Sequence, residues 1–230
     1  MKEIVNYISD NRYFIKNNIS RESIDVYCFL QKEFKKGNVS INYLFQFVYR
    51  SFYRLDNAGL SKDFKIKYFE LLEKNRHLNK SDYKDVAIEL YKIPNLKNQN
   101  TLQFSFVTKM FNTINPALPI YDSEVARVFK FRPPSLKLTL DERLEQYLLQ
   151  LTEIKETYET ILKNGLLNQT LELCRDTIFY DTEISDVKAL DFIFWSAGKV
   201  MKNPELIKGE EGIHTLEELD EMDRILKNKE

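Results

Sequence analysis

The chain has little glycine, little cysteine and no long apolar run. Six glycines in 230 residues argue against a fold built on tight β-turns. No stretch alternates apolar and polar residues between turn signals as a sheet strand does, and no internal repeat occurs. Two cysteines, Cys28 and Cys174, exclude a four-cysteine zinc site or iron–sulfur cluster. So widely separated, they read as buried thiols in a reducing compartment. Two isolated histidines, His77 and His214, cannot build a metal site by themselves, so neither metal nor cofactor is expected. The first residues, MKEIVNYISD, lack the apolar run of a signal peptide. Nothing approaches the ~20 consecutive apolar residues of a membrane span. The expectation is a soluble, cytoplasmic protein with no membrane partner.

What the chain does have is apolar mass at helical spacing. Hydrophobic residues make up 43% and aromatics 13%, which excludes a disordered chain. The length suits one large domain or two closely packed subdomains with a sizeable core, and a single domain over residues 1–230 is expected. Helices are expected over 3–9, Arg21–Lys35 after a Ser20 cap, Ser61–Asn75, Ser81–Tyr91, Thr139–Leu162, Asn168–Tyr180, Asp186–Met201 and Thr215–Lys227. The segment opened by Ser40 (Ile41, Tyr43, Leu44, Phe45, Phe47, Val48, Tyr49) has few polar positions and reads as a central helix buried on most sides. The fold class expected is all-α. Net charge is −1, but it is unevenly spread. Residues 32–80 hold eleven Lys/Arg against five Asp/Glu, a net of +6, and residues 209–230 hold three against eight, a net of −5. A basic face is therefore compatible with a neutral total, and the tail from 206 to 230 is acidic.

The stretch from Asn98 to Phe131 stands apart. Four of the six prolines lie within the nineteen residues from Pro116 to Pro134. Leu102, Phe106, Met110 and Ile114 recur every four residues, so Asn100–Asn115 reads as one helix ended by Pro116. Lys109 lies off that stripe, and Asp122 follows the proline-rich turn. A helix rises only ~10 Å from Lys109 to Asn115, whereas Pro116–Tyr121 can span up to ~20 Å. The chain can thus double back and bring Asp122 beside Lys109, with a new helix over Ser123–Phe129. An apolar wall from Phe106, Met110 and Phe111 would desolvate the lysine and lower its pKa.

FVTK followed by PIYDSEV resembles the helix–hairpin–helix DNA glycosylases, in particular their 8-oxoguanine glycosylase branch. That family carries a catalytic lysine in a Thr-Lys context after a short hairpin, and a catalytic aspartate after a proline-containing segment. Thr108-Lys109 and Ile120-Tyr121-Asp122 stand in those places. The resemblance covers about thirty residues, with a helix–hairpin–helix-like element over 99–131, and extends by character to DVKALDFIFW near the C-terminus. It implies a two-lobed helical domain acting on duplex DNA that contains a damaged or modified base. Excision would proceed through a lysine Schiff base, with associated abasic-site lyase activity. The family's hairpin glycines are absent, and Phe104-Ser105-Phe106-Val107 stands there.

On this reading Lys109 is the nucleophile and Asp122 its electrostatic and acid–base partner. Tyr121, Phe129, Phe131 and Trp195 are candidates to stack an extruded base. Ser105, Thr108, Arg127, Lys130 and Arg132 are candidates for the DNA backbone. Each residue also has a plainer reading: Asp122 as a helix cap, Lys109 as a solvated helix position, Trp195 as core. The alternatives at the level of function are a non-catalytic nucleic-acid-binding module and a helical protein-interaction domain.

Overall fold

A computed structural model describes residues 1–77 and 82–203. Among these residues it is all-α, with eleven helices and no strand. The expected helix over 215–227 lies outside the described residues.

Short polar side chains start most of the helices. Helix α1 runs over Lys2–Asp10 and α2 over Arg12–Asn17; Asn11 joins the two. The break at Asn11 and the second helix leave no proline or glycine mark in the sequence. Ser20 caps α3 (Arg21–Lys36), whose buried face is Ile24, Tyr27, Leu30 and Phe34, as the periodicity predicts. Asn42, rather than Ser40, caps α4 (Tyr43–Tyr53) by accepting from the Phe45 amide. Ser61 caps α5 (Lys62–Lys74) and Asp82 caps α6 (Tyr83–Tyr91). Helix α7 is shorter than its apolar spacing suggests, Phe104–Ile114, and leaves Leu102 outside. Asp122 caps α8 (Ser123–Val128). Thr139 and Glu142 form a reciprocal capping box on α9 (Leu140–Asn164), which Gly165 closes at φ 63°, in the left-handed region glycine tolerates. Helix α10 (Asn168–Thr177) ends three residues before Tyr180, and Ser185 caps α11 (Asp186–Lys202).

One expectation fails. Helix α4 is not buried on most sides. Phe45, Tyr49 and Tyr53 face the core, while Ile41, Tyr43, Leu44 and Phe47 are 61–79% exposed. Apolar residues lie on both sides of this helix, with Arg50 and Ser51 among those on the outer one, and only the side of Phe45, Tyr49 and Tyr53 is covered.

The closest packing falls into three sets. Helix α3 pairs with α4, and α5, α6 and α7 pack on one another; α11 packs on α8, α2, α1, α9 and α10. Contact between α11 and α8 depends on Gly198. A Cβ built there would lie 2.1 Å from the Glu124 carbonyl oxygen, so only a glycine lets the two backbones approach this closely. Both cysteines are free, Cys174 buried and Cys28 half-buried. No described helix is long and apolar enough to cross a membrane.

Candidate functional site

Asp122 and Lys109 are drawn together by bonds that precede any chemistry. Thr108, fully buried on α7, accepts the Tyr121 amide at 3.1 Å. Its own hydroxyl faces the carbonyls of Ser105 at 2.9 Å and Tyr121 at 3.1 Å. The residue before Lys109 therefore grips the residue before Asp122. Further back, Asn112 donates to the Leu118 carbonyl at 2.6 Å, and the Asp191 carboxylate accepts the Ile120 amide at 3.1 Å. The strand-like turn after Pro116 is thus tied at three successive points to α7 and α11.

The Lys109 turn of α7 is fixed from behind as well. Tyr68 donates to the Phe106 carbonyl at 2.8 Å, and Thr113 donates to the Lys109 carbonyl at 2.8 Å. The Tyr49 hydroxyl lies 2.9 Å from Tyr68 and 3.2 Å from Thr113. With the other two protons already engaged, its single proton can serve only one of them at a time. Burial raises the pKa of Tyr49 and of Tyr68, which keeps both as neutral hydrogen-bonding groups.

Lys109 is half-buried. Its ammonium nitrogen lies 5.2 Å from the Phe106 ring centre and 5.8 Å from that of Tyr53. The desolvating wall is therefore Phe106 and Tyr53, whereas Met110 and Phe111, expected there, point into the core. Desolvation lowers the amine's pKa, the Asp122 charge partly opposes that fall, and the Arg54 guanidinium adds to it. Arg54 reaches this position by ending α4 at φ 60°.

Asp122 is half-buried and does cap a helix: Oδ1 accepts the amides of Glu124 and Val125, each at 3.0 Å. Its other oxygen accepts no hydrogen bond among the described residues. One carboxylate thus serves two purposes, with Oδ1 fixing its direction and Oδ2 left available in the field of Lys109.

Behind this pair lies a second one that the sequence reading did not single out. Lys188 and Asp191, on α11, are 3% and 4% exposed. The Lys188 ammonium donates to the Asn112 side-chain oxygen at 3.0 Å and lies 3.5 Å from Asp191 Oδ2. It also sits over the rings of Tyr27 and Phe192, at 4.6 and 5.0 Å. Burial lowers the Lys188 pKa and pushes Asp191 up to about 6. Burial first, and then the Asp191 charge, raise the pKa of the buried Tyr158 hydroxyl on α9. The clue in the sequence was a lysine and an aspartate three apart inside the otherwise apolar DVKALDFIFW.

A cavity of about 470 Å³ opens at the first turn of α7, bounded by Phe104, Ser105, Tyr121, Arg127, Lys130 and Tyr147 among others. Ser105 lies one turn before Lys109 on the same helix face, ~6 Å away along the axis. Three rings shape one wall: Phe104 stacks on Tyr147 with centres 4.9 Å apart, and Tyr121 meets both edge-on at 5.7 and 5.2 Å.

The other expected residues divide. Tyr121 and Phe131 line the cavity. Phe129 does not; it is sandwiched between Phe131 and Phe194, at 5.0 and 5.6 Å. Trp195 is half-buried under the Lys199 ammonium, 4.3 Å from its ring, and lies outside the cavity. Ser105, Arg127 and Lys130 reach the rim, Arg127 paired with Glu124 and Lys130 with Glu3. Arg132 is exposed but outside the cavity lining. Thr108 cannot meet a phosphate, because its hydroxyl is sealed inside and occupied by Tyr121. Among the described residues, no group of three or more His, Cys, Asp or Glu could hold a metal ion.

Comparison of the chain with protein-family models, with curated proteins and with solved structures returns no match.

Proposed function

We propose that the protein is a DNA glycosylase with abasic-site lyase activity, using Lys109 as nucleophile and Asp122 as its electrostatic and proton-handling partner. One observation carries the reading. An amine with a lowered pKa rests against two aromatic rings, and a carboxylate oriented by a helix N-terminus keeps one oxygen free in its field. A solvated helix position for Lys109 does not fit that setting.

The chemistry follows from those two groups. Lys109 must shed a proton before it can attack, and desolvation favours that loss. Its nitrogen then bonds to the sugar C1′ as the bond to the base breaks and the base departs with the electron pair. The free Asp122 oxygen faces the positive charge that develops on the sugar. Ring opening and loss of the amine proton give the Schiff base, from which elimination of the 3′ phosphate nicks the strand. The aromatic wall of Phe104, Tyr121 and Tyr147 suits an extruded base, and Arg127 and Lys130 at the rim suit a phosphate. On this reading residues 99–131, with α7 and α8, form the helix–hairpin–helix-like element of a two-lobed domain. The hairpin is glycine-free, and its anchoring falls to side chains such as Ser105.

Borohydride trapping tests the proposal. Duplexes bearing 8-oxoguanine, other altered bases or an abasic site are incubated with the protein, and a covalent adduct is sought. An adduct lost in Lys109→Gln is expected. No adduct with any substrate, or one that survives this substitution, overturns the assignment.

A further inference from the structure

The exposed face of α4 leads directly to Lys109. At ~100° per residue, Tyr43, Leu44, Phe47, Arg50, Ser51 and the helix-ending Arg54 fall within ~120° of one another. Phe45, Tyr49 and Tyr53 occupy the opposite, buried side. The exposed face is therefore ordered along its length, with two aromatic rings and a leucine in the first turns and cations in the last. Tyr43 is 79% exposed, Leu44 64% and Phe47 61%, an unusual concentration of large apolar groups on so short a stretch. Arg54 is exposed, forms no ion pair among the described residues, and acts electrostatically on Lys109. At the other end, Lys32, Lys35 and Lys36 stand exposed on the last turns of α3, which packs on α4. Among the described residues Lys36 alone of these three is paired, with Glu33. The nearby acid Asp56 is already neutralised by Arg50 and Lys65, at 3.2 and 2.6 Å.

We propose that this face of α4 is a ledge for unpaired nucleotides of a DNA strand, with bases against Tyr43, Leu44 and Phe47 and phosphates toward Arg54 and the α3 lysines. Cations at both ends of an apolar patch call for a polyanion that carries flat apolar surfaces. Unpaired bases offer free faces to stack on such rings, whereas in a duplex those faces are covered by neighbouring bases. The ledge rises ~16 Å from Tyr43 to Arg54, room for about four or five nucleotides at ~3.4 Å each. The choice of DNA rests on the glycosylase reading, but the ledge requires no chemistry and is tested without it.

The experiment uses full-length Lys109→Gln protein, so that no covalent step intervenes. Fluorescence anisotropy at low salt compares a labelled oligothymidylate with a labelled blunt duplex. Tighter binding of the oligothymidylate is expected. The pair Tyr43→Ala/Phe47→Ala should weaken it about tenfold or more while changing duplex affinity less than about twofold. Phe47→Leu keeps apolar area but removes the ring, and should still weaken the single strand. Unchanged affinity in these variants, or tighter binding of the duplex, overturns the ledge. So does absence of oligothymidylate binding. A dimer in sedimentation velocity that Phe47→Ala dissolves would make the face an interface between copies instead. Vesicles of anionic lipid that bind the protein only through Tyr43 and Phe47 would assign it to a membrane. A failed trapping experiment beside intact, ring-dependent binding would remove the glycosylase reading and leave the ledge standing.

Discussion

Replacing Thr108 with valine keeps the shape of the side chain and removes only its hydroxyl. That hydroxyl is the acceptor for the Tyr121 amide at 3.1 Å, in a position with no access to solvent. Valine leaves a buried N–H without a partner, at a cost of about 1–3 kcal/mol. For a chain of this size each kcal/mol lowers Tm by roughly 2–4 °C. The expected fall is therefore roughly 2–12 °C, centred near 6 °C, by calorimetry or urea titration. Function should suffer beyond stability, because the lost bond is the one that registers Asp122 against Lys109. A displacement of ~1 Å in a reacting group can cost about 100-fold, so trapping should slow by about 10- to 100-fold at temperatures where the variant is fully folded. Thr108→Ser is the control: it loses one methyl, about 0.8 kcal/mol, but keeps the hydroxyl and should trap at nearly the wild-type rate. A valine variant with wild-type Tm and trapping rate would refute the staple, as would a serine variant no better than valine.

Two further predictions concern charge. Arg54→Ala removes a cation that helps to depress the Lys109 pKa, so the pH midpoint of trapping should move up; Asp122→Asn removes the opposing anion and should move it down while slowing the reaction. Trapping rate against pH reads both signs, and an unmoved midpoint in either variant contradicts the placement of that group. The buried pair is tested by a double-mutant cycle: Lys188→Met and Asp191→Leu should each cost about 3–5 kcal/mol in urea unfolding, and the double variant less than their sum. Asp191 is raised from 3.8 to about 6, so protonation favours the folded state. That contribution is present below pH 3.8 and lost as pH rises through about 6, a change of about 3 kcal/mol that Asp191→Leu should abolish.

Much of the frame was legible because it depends on neighbours in sequence. Ser20, Ser61, Asp122 and Thr139 mark helix starts through bonds to amides two or three residues on, and Gly165 and Pro116 mark ends. The buried faces of α3 and α5 follow from apolar spacing. The site was legible only in outline. Lys109 and Asp122 are conspicuous because one is the single charge in an apolar helix and the other follows a proline turn. Thr108 read as a hydroxyl for the DNA backbone, and nothing local says that it binds the protein's own backbone thirteen residues away. Tyr53 and Arg54, at the end of a different helix, left no mark pointing to Lys109 at all.

The amino-acid sequence by itself determined that the chain is helical, where most helices begin, and that a lysine and an aspartate flank a turn able to fold back. Those are matters of hydrogen bonds and dihedral angles within a few residues. Tertiary structure alone decided how much of α4 is buried, because a helix with apolar residues on both sides leaves Tyr43, Leu44 and Phe47 outside when only one side is packed. It also decided that Lys188 and Asp191 are interior while similarly spaced charges elsewhere are solvated, since burial depends on what packs above a residue. Finally it fixed the setting of Lys109. The amine's lowered pKa is the work of Phe106, Tyr53 and Arg54 closing around it, and two of those three come from the end of a helix about fifty-five residues earlier.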